Sequence, residues 1–465
     1  MSGLACRGCG KTLPAAAPAP YTCPNAGHDD GDHVMGRTLD ASSVRFSTTG
    51  EANPFLRYRA LTHAYSLASS RGVSDEAFTD TVRDLDVAVA KVAGFGFVAT
   101  PFGESRALSD ALELASPGGV WIKDETHNVS GSHKARHLMG LAILGETLRR
   151  VGLVTPDVAG RTRLAIASCG NAALAAAIVA RAWNKPLDVF IPTDANPRVV
   201  RELERLDASV HVCERSAGTP GDPCYLAFRE AVQAGALPFC CQGSDNGLCI
   251  EGGETLVWEM IGELLARGRT LDRLFVQVGG GALASACIEA FRDAIGLGVS
   301  ISMPRIHAVQ TRGAFPLRRA WERVVARIAP RIGLDPTQPD AVVASGIQAR
   351  VRAPEVLDEL DYAAKHRAEF MWPWETAPSS IAHGILDDET YDWLAIVRGM
   401  VESGGFPLVV SEEDLVRANT LGRSSTGIDV DETGSSGLAG LLALQRIGGI
   451  PSTETVGIIF SGVRR

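Results

Sequence analysis

The sequence predicts an α/β protein in which helices cover both faces of mostly parallel sheets. Three observations lead to this class. Strand-like and helix-like segments alternate over residues 163–214, the alternation returns over 252–310, and a short apolar run, VGIIF, follows at 456–460. Strands that alternate with helices at this spacing form parallel sheets that are buried on both faces. We therefore expect two three-layer α/β/α domains.

The first alternating region gives each element a local signal. Asn196 and Pro197 predict the start of a helix, because Asn caps helices well and Pro fits the first helical position. The predicted elements are a strand at 163–167, a helix at 173–183, a strand at 187–192, a helix from 197 to about 206 and a strand at 208–214. The region thus contains three strands separated by two helices.

The second alternating region has the same character. Its predicted elements are a helix at 252–268, a strand at 273–278, a helix at 283–295, a strand at 305–310 and the final strand at 456–460. Upstream, residues 56–115 have a helical pattern in which Ser74, followed by Asp75 and Glu76, marks a helix start. Residues 316–400 show less regular periodicity.

The N-terminal segment has a composition of its own. Cys6 and Cys9 form a CxxC pair, and Cys23 follows with two nearby histidines, His28 and His33. Three thiolates and one imidazole would complete a tetrahedral structural zinc site, which we assign to Cys6, Cys9, Cys23 and His28. Reduced cysteines in a mobile tail are the alternative. We expect a ribbon-like segment at 1–45, a larger cofactor-binding domain at 46–130 plus 240–465, and a smaller, mobile domain at 131–239.

Composition and charge exclude several classes. The chain has 465 residues, 45% of them apolar, and a net charge of −9, without a run of five Lys or Arg. Nucleic acid is therefore not an expected partner. No stretch of eighteen apolar residues and no basic-then-apolar leader occurs, so we expect a cytoplasmic protein without membrane contact. A homodimer acting on a small molecule is the expected form.

A glycine triplet follows the predicted strand at 273–278, in VQVGGGALAS. Gly279, Gly280 and Gly281 lack side chains, so their backbone N–H groups can converge on an anion beside the start of a helix. No Lys-Ser or Lys-Thr follows, which excludes a Walker loop. The sequence favours a phosphate cradle, and a tight packing turn is the alternative.

Three further stretches carry chemistry. In ASCGNAALAA, Ser168, Gly170 and the amides around Asn171 can bind a carboxylate, although Ser and Asn are also ordinary helix caps. In GSHKAR, Lys134 follows a compact turn, where a surface lysine would need no such setting. In IIFSG, Ser461 ends a parallel strand, at the edge where open α/β sheets bind ligands.

In their order along the chain, GSHKAR, ASCGNAALAA, VGGGALAS and IIFSG resemble the signatures of pyridoxal-phosphate enzymes of the tryptophan-synthase β-subunit fold, also called fold type II. The resemblance extends from about residue 95 to residue 465. The motifs CRGCG and YTCP resemble the ribbon that precedes some threonine synthases. Residues 427–443 resemble the segment before the last strand of threonine synthases and serine/threonine dehydratases.

The resemblance implies a role for each matching residue. Lys134 would form the Schiff base with pyridoxal 5'-phosphate and then act as the general base. Asn171 would bind the phenolic oxygen of the cofactor, Ser461 would face its ring nitrogen, and His133 would contact the phosphate. The remaining assignments are the phosphate-binding backbone of Gly279, Gly280, Gly281, Ala282 and Leu283, and the substrate-carboxylate loop of Ser168, Cys169, Gly170 and Ala172.

The implied reaction is a β-elimination. A neutral serine beside the ring nitrogen would leave that nitrogen unprotonated, which suits elimination or replacement better than transamination. We expect a lyase of the ammonia-lyase or dehydratase kind, acting on a small amino acid by α-proton abstraction. A threonine-synthase-like β,γ-replacement and a catalytically silent sensor are the alternatives. Ala135 stands where threonine synthases and dehydratases commonly carry Asp, so the substrate stays open.

Overall fold

The computed structural model describes residues 3–215, 221–300 and 302–465. Within them the strands form three sheets, of three, six and four strands. The smallest sheet is antiparallel and lies at the N-terminus, with strand order β2-β1-β3. Its strands are β1 (Gly3–Cys6), β2 (Thr12–Leu13) and β3 (Met35–Thr38). This sheet is the ribbon that the N-terminal cysteine pattern predicted.

The six-stranded sheet has the order β12-β11-β10-β13-β5-β4, and only β4 runs antiparallel to its neighbour. Its strands are β4 (Phe102–Glu104), β5 (Gly119–Asp124), β10 (Arg273–Gln277), β11 (Arg305–Thr311), β12 (Leu408–Val410) and β13 (Thr455–Phe460). Every residue of β5, β10 and β13 is buried. The centre of this sheet is therefore covered on both faces, as parallel sheets require.

The four-stranded sheet is parallel throughout, with the order β8-β7-β6-β9. Its strands are β6 (Leu164–Ala167), β7 (Leu187–Pro192), β8 (Ser209–Cys213) and β9 (Leu237–Pro238). The two parallel sheets confirm the predicted α/β class.

Helices pack against both large sheets. In chain order they are α1 (Pro54–Arg57), α2 (His63–Ser70), α3 (Asp75–Ala93), α4 (Arg106–Ala111), α5 (Lys134–Arg150), α6 (Pro156–Arg161), α7 (Asn171–Ala182), α8 (Pro197–Arg205), α9 (Pro223–Gln233), α10 (Cys249–Ala266), α11 (Ala282–Gly296), α12 (Pro316–Arg331), α13 (Asp340–Gln348), α14 (Pro354–Lys365), α15 (Trp393–Ser403), α16 (Glu412–Thr426) and α17 (Ser436–Arg446).

Most predicted elements lie within a few residues of those observed. The predicted cap is present, because the Ser74 hydroxyl accepts from the Ala77 N–H at 3.2 Å. Asn196 likewise caps α8, with Pro197 in its first turn. The irregular pattern at 316–400 was misleading, since four helices, α12 to α15, begin there. The short strand β4 lies inside a region where only helix was predicted.

A fully buried charge network joins β5 to α5 and α10. Arg136 donates to Glu125 at 2.9 Å and to Glu259 at 2.6 Å. Lys123 donates to the Thr100 carbonyl at 2.7 Å and also contacts Glu259. Two cations thus balance two carboxylates in the interior. Burial raises the pKa of Glu259, but Arg136 and Lys123 lower that pKa more, which keeps this carboxylate charged.

Among the described residues, the helices are all too short or too polar to cross a membrane.

Candidate functional site

Two of the four sequence motifs, the glycine loop and IIFSG, lie next to each other at the ends of neighbouring strands in the six-stranded sheet. Strands β10 and β13 are parallel neighbours, so the glycine loop after β10 and Ser461 after β13 lie at the same edge. The Gln277 side chain links the two exits by donating to the carbonyls of Ile459 at 3.1 Å and Gly434 at 3.3 Å. The carboxyl edge of a parallel sheet is where α/β proteins bind ligands.

The turn before Lys134 is hydrogen-bonded to the residues that follow β13. The backbone N–H of His133 donates to Ser461 Oγ at 3.0 Å, and His133 Nδ1 lies 2.5 Å from the same oxygen. Two residues after Ser461, the Val463 N–H donates to the Gly131 carbonyl at 3.0 Å. The GSHKAR turn and the IIFSG exit are therefore joined by direct hydrogen bonds.

Asn171 joins this assembly from the four-stranded sheet. Arg465 contacts the Asn171 side-chain oxygen and donates to the Ser130 carbonyl at 2.5 Å. Gly462 is so near that a Cβ there would lie 3.0 Å from Asn171 Nδ2. The final residues of the chain thus lie between the lysine turn and the asparagine loop, across the gap between the two large sheets.

Lys134 is the first residue of α5 and is half-buried. Its side-chain amine makes no hydrogen bond or ion pair with any residue that the structure describes. Its charge acts on two aspartates of the segment before α15. Burial raises the pKa of Asp387 to about 6 and that of Asp392 to about 7, while the charge of Lys134 opposes both rises. The amine is therefore available to a ligand.

The glycine loop has no room for side chains. A Cβ on Gly279 would lie 2.2 Å from Asp387 Oδ2, and one on Gly281 would lie 2.8 Å from Ile396 Cδ1. Gly281 also has a φ of 107°, a conformation that residues with a Cβ avoid. The loop is packed under residues 385–392, whose Asp392 N–H donates to the Gly280 carbonyl at 3.0 Å. Glycine is thus required at these positions by geometry.

Three helices begin at the site without a capping side chain. They are α5 after His133, α7 after Gly170 and α11 after Gly281. Among the other described helices, eight have a capping side chain, from Asn53, Thr62, Ser74, Ser105, Thr155, Asn196, Asp222 and Ser411, and six, α10, α12, α13, α14, α15 and α17, have none. An uncapped N-terminus leaves N–H donors and a partial positive charge for an anionic ligand. The site contains such ends at all three loops that the sequence singled out.

The loop at 168–172 is shaped by backbone contacts. The Ser168 N–H donates to the Phe190 carbonyl at 3.2 Å, and the Gly170 N–H donates to Ser168 Oγ at 3.4 Å. Cys169 is exposed, and Ala172 lies in the first turn of α7. The amides that would hold a carboxylate are therefore at an open helix end. Their role in substrate binding stays a prediction.

The predicted metal ligands also come together, with one change. Ligand atoms of Cys6, Cys9, Cys23 and His33 all lie within 4.8 Å of one another. Cys6 Sγ is 3.6 Å from His33 Nδ1, and Cys9 Sγ is 3.6 Å from Cys23 Sγ. The imidazole in this group belongs to His33, whereas the sequence assignment named His28, which is exposed. His33 Nε2 is held by Asp29 at 2.7 Å, which orients the ring.

Sequence reasoning missed three residues that lie at the site. Asp387 and Asp392 belong to the stretch at 316–400, where the sequence showed little regular periodicity. Arg465 carried no signal at all, since a terminal arginine is usually solvated. All three reach the site through long-range folding.

Comparison with known proteins identifies the same chemistry. Residues 95–368 match the family model for pyridoxal-phosphate dependent enzymes. L-Serine dehydratase of Saccharomyces cerevisiae is 28% identical over 211 residues, which are 44% of this chain and 59% of that protein. The chain therefore covers less than two thirds of this relative. Threonine synthase of Methanosarcina acetivorans is 22% identical over 365 residues, which are 78% of this chain and 74% of that protein.

Solved structures share the fold. The fungal L-serine ammonia-lyase from Rhizomucor miehei superimposes with a TM-score of 0.54 at 17% identity, over 79% of this chain and 94% of that one. This likeness confirms the predicted fold type II. Because the family model covers more than half of the sequence, the chain belongs to the pyridoxal-phosphate dependent enzymes.

Proposed function

We propose that this protein is a pyridoxal-phosphate-dependent lyase that removes the α-proton of a small amino acid and eliminates its β-substituent. One observation carries the proposal. A half-buried lysine amine without a hydrogen-bond partner among the described residues begins α5, and the residue before it, His133, binds Ser461 at the sheet edge that also carries the uncapped glycine loop. A lysine in that setting can hold an aldehyde cofactor and later take up a proton.

The residues at the sheet edge fit the cofactor. The backbone of Gly279 to Leu283 would hold its phosphate, because α11 begins there without a capping side chain. Asn171 would bind the phenolic oxygen, and Ser461 would lie at the ring nitrogen. When bound, pyridoxal phosphate supplies an aldehyde for the substrate amine and a ring that accepts electrons from the α-carbon.

The other steps fall to this chain's own groups. Residues 168–172 would hold the substrate carboxylate at the open end of α7, which fixes the amino acid in one orientation. The Lys134 amine would then remove the α-proton as general base. Burial raises the pKa of Asp387 to about 6, against the charge of the same amine, so this carboxyl can exchange a proton near neutral pH. It is our candidate for protonating the leaving group.

A replacement reaction is the second candidate. It is favoured by the match to threonine synthase, which covers more of this chain than the match to serine dehydratase does. The N-terminal ribbon also resembles that branch. In this case a nucleophile, rather than hydrolysis, would follow the loss of the substituent.

A substrate screen separates the candidates. The purified protein, loaded with cofactor, would be given serine, threonine, cysteate, phosphoserine and phosphohomoserine. Keto acid with ammonia is the expected product and supports elimination. Phosphate release with a new amino acid supports replacement, and cofactor binding without turnover of any substrate supports a silent sensor. A protein that binds no cofactor would contradict all three.

We also propose that Cys6, Cys9, Cys23 and His33 bind a structural zinc ion. Three sulfur atoms and one imidazole nitrogen in a compact group are a typical closed zinc site. The ion would hold together a ribbon whose middle, PAAAPAP, has little capacity to fold alone. Metal analysis should find one zinc per chain, lost in Cys6→Ser and His33→Ala but retained in His28→Ala. Loss in His28→Ala with retention in His33→Ala would support the original assignment instead.

The domain division, a mobile domain at 131–239, the homodimer and the cytoplasmic location stay predictions. The separate four-stranded sheet at 164–238 supports an independent smaller domain. Light scattering tests the dimer, and comparing hydrogen exchange with and without substrate tests the motion.

A further inference from the structure

Strand β13 is followed by a short extended segment that reaches Arg465. The Val463 N–H donates to the Gly131 carbonyl at 3.0 Å, and the Arg464 N–H donates to the Asp429 carbonyl at 3.1 Å. The backbone is thus held from two sides immediately before Arg465. This arrangement gives the arginine side chain a defined starting point at the site.

The Arg465 guanidinium joins two parts of the site. One of its terminal nitrogens contacts the Asn171 side-chain oxygen, and the other donates to the Ser130 carbonyl at 2.5 Å. Ser130 belongs to the turn before Lys134, and Asn171 is the first residue of α7. A planar guanidinium can bind two acceptors at once, because its N–H groups form a fixed fork. One side chain therefore links the lysine turn to the start of α7.

The contact fixes the orientation of the Asn171 amide. Arginine has only donors, so the amide atom that faces the guanidinium must be the oxygen, and the nitrogen points away from it. Asn171 Nδ2 makes no hydrogen bond with any residue that the structure describes. It lies beside Gly462, where a Cβ would be 3.0 Å from it and where the φ of 125° disfavours any residue with a Cβ. The two Nδ2 hydrogens are therefore left for a ligand.

The neighbouring Arg464 lacks comparable contacts. It is exposed, and among the described residues its guanidinium makes only a loose ion pair with Asp429, at 3.8 Å. Partial burial lowers the pKa of Arg465, whereas the charges of Asp431 and Glu202 oppose that fall. Arg465 thus gives up part of its hydration to make its two bonds. Arg464 is a matched control, because it carries the same charge at the adjacent position.

We propose that Arg465 is a positioning residue that holds the Asn171 amide with its NH2 group toward the phenolic oxygen of the cofactor. This inference rests on the proposed function, because it takes Asn171 to bind that oxygen. A free amide could rotate and present its own oxygen, which would repel an ionised phenolic oxygen. The arginine removes that alternative, and in this role it acts only through Asn171.

The first test uses the cofactor-free chain. Relaxation of ¹⁵N in the asparagine side-chain amides measures how tightly each NH2 group is held, and Asn171→Ser identifies the Asn171 signal by its loss. We expect an ordered amide, comparable to that of Asn419, whose Nδ2 donates to the Val430 carbonyl at 2.9 Å. The order should fall in Arg465→Met and persist in Arg464→Met. Unchanged order in Arg465→Met would overturn the proposal.

The second test measures cofactor affinity in a double-mutant cycle. Arg465→Met should weaken binding about fivefold, which is the effect of one hydrogen bond, and Arg464→Met should leave binding unchanged. Because Arg465 acts through Asn171, its removal should have no further effect in the Asn171→Ala background. Equal affinities in the two arginine variants would overturn the proposal, as would the same loss from Arg465→Met in both backgrounds.

A spectroscopic measurement separates positioning from general stability. A donor to the phenolic oxygen stabilises its ionised form. The pH midpoint of the absorbance change of the bound cofactor should therefore rise in Arg465→Met, by roughly half a unit to one unit, and stay unchanged in Arg464→Met. A wild-type midpoint in Arg465→Met would overturn the proposal. A chain that binds no cofactor would instead contradict the proposed function, and the amide relaxation would still show whether Arg465 holds Asn171.

Discussion

Lys123 and Lys134 lie close together in the sequence but in opposite environments. Lys123 is fully buried and satisfied by Glu259 and the Thr100 carbonyl, within a network that also contains Arg136. Lys134 is half-buried, and its amine has no partner among the described residues. A buried charge with fixed partners is held by the fold, because removing one partner leaves the other buried and unpaired, whereas an amine without such partners is available for chemistry. Within one short segment, Lys123 therefore has a structural role and Lys134 is the candidate for a functional one.

The largest effect should come from Lys134→Ala. Turnover should fall by roughly 10²–10⁴-fold or more, because the variant lacks the positioned general base. The midpoint of urea unfolding should change little, since the amine makes no hydrogen bond or ion pair with the described residues. Kinetic assays and circular dichroism check both results, with the exposed Lys91→Ala as control. Normal activity in Lys134→Ala would contradict the comparison.

Arg136→Met should mainly lower stability, in contrast to Lys134→Ala. It leaves Glu125 and Glu259 buried without their main cation, which should cost about 3–5 kcal/mol of unfolding free energy. Arg161→Met is the matched control, because Arg161 and Asp157 form an exposed pair, worth about 0–1 kcal/mol. Urea titration measures both. Equal losses in the two variants would show that the network is not structural.

Gly281→Ala tests the glycine loop. The added Cβ meets Ile396 at 2.8 Å and the backbone has a φ of 107°, so the strain should cost about 1–2 kcal/mol. We expect cofactor affinity to fall about tenfold, which corresponds to about 1.4 kcal/mol. Gly298→Ala has a φ of 70° but open space around its Cβ, and its affinity should stay unchanged. Equal affinities in both variants would place the phosphate elsewhere.

The smallest effect concerns Asp392 and pH. Burial raises its pKa from 3.8 to about 7, and its Oδ1 has no partner among the described residues. A carboxyl whose pKa is raised by folding stabilises the protein at acid pH and loses that contribution as pH rises through about 7. Relative to Asp392→Asn, wild type should lose on the order of 1 kcal/mol between pH 6 and pH 8. Thermal melts across that range check this, and parallel curves would contradict it.

Much of the fold follows from local sequence signals. Strands β7 and β13 and the caps Ser74 and Asn196 depend on neighbours in the chain, and the sequence predicts them within one residue. Strands β4 and β12 have three residues each, too few to show an alternating pattern. They form because β5 and β11 offer unpaired edges.

The site divides in the same way. The four motifs are local and could be found, because glycines, a lysine turn and strand ends leave signals in the sequence. The choice of His33 over His28 depends on how the ribbon folds back, which spacing alone does not specify. Asp387 and Arg465 arrive from distant segments, so only the folded chain places them beside Lys134 and Asn171.

The central claim is that Lys134 holds the cofactor. The most direct measurement is borohydride reduction of the cofactor-loaded protein, followed by peptide mass spectrometry to locate the pyridoxyl group. The account predicts that the group is on Lys134 and is absent from Lys123, whose amine is buried and paired. A modified Lys11, Lys91, Lys123, Lys185 or Lys365 in place of Lys134, or no modification at all, would contradict it.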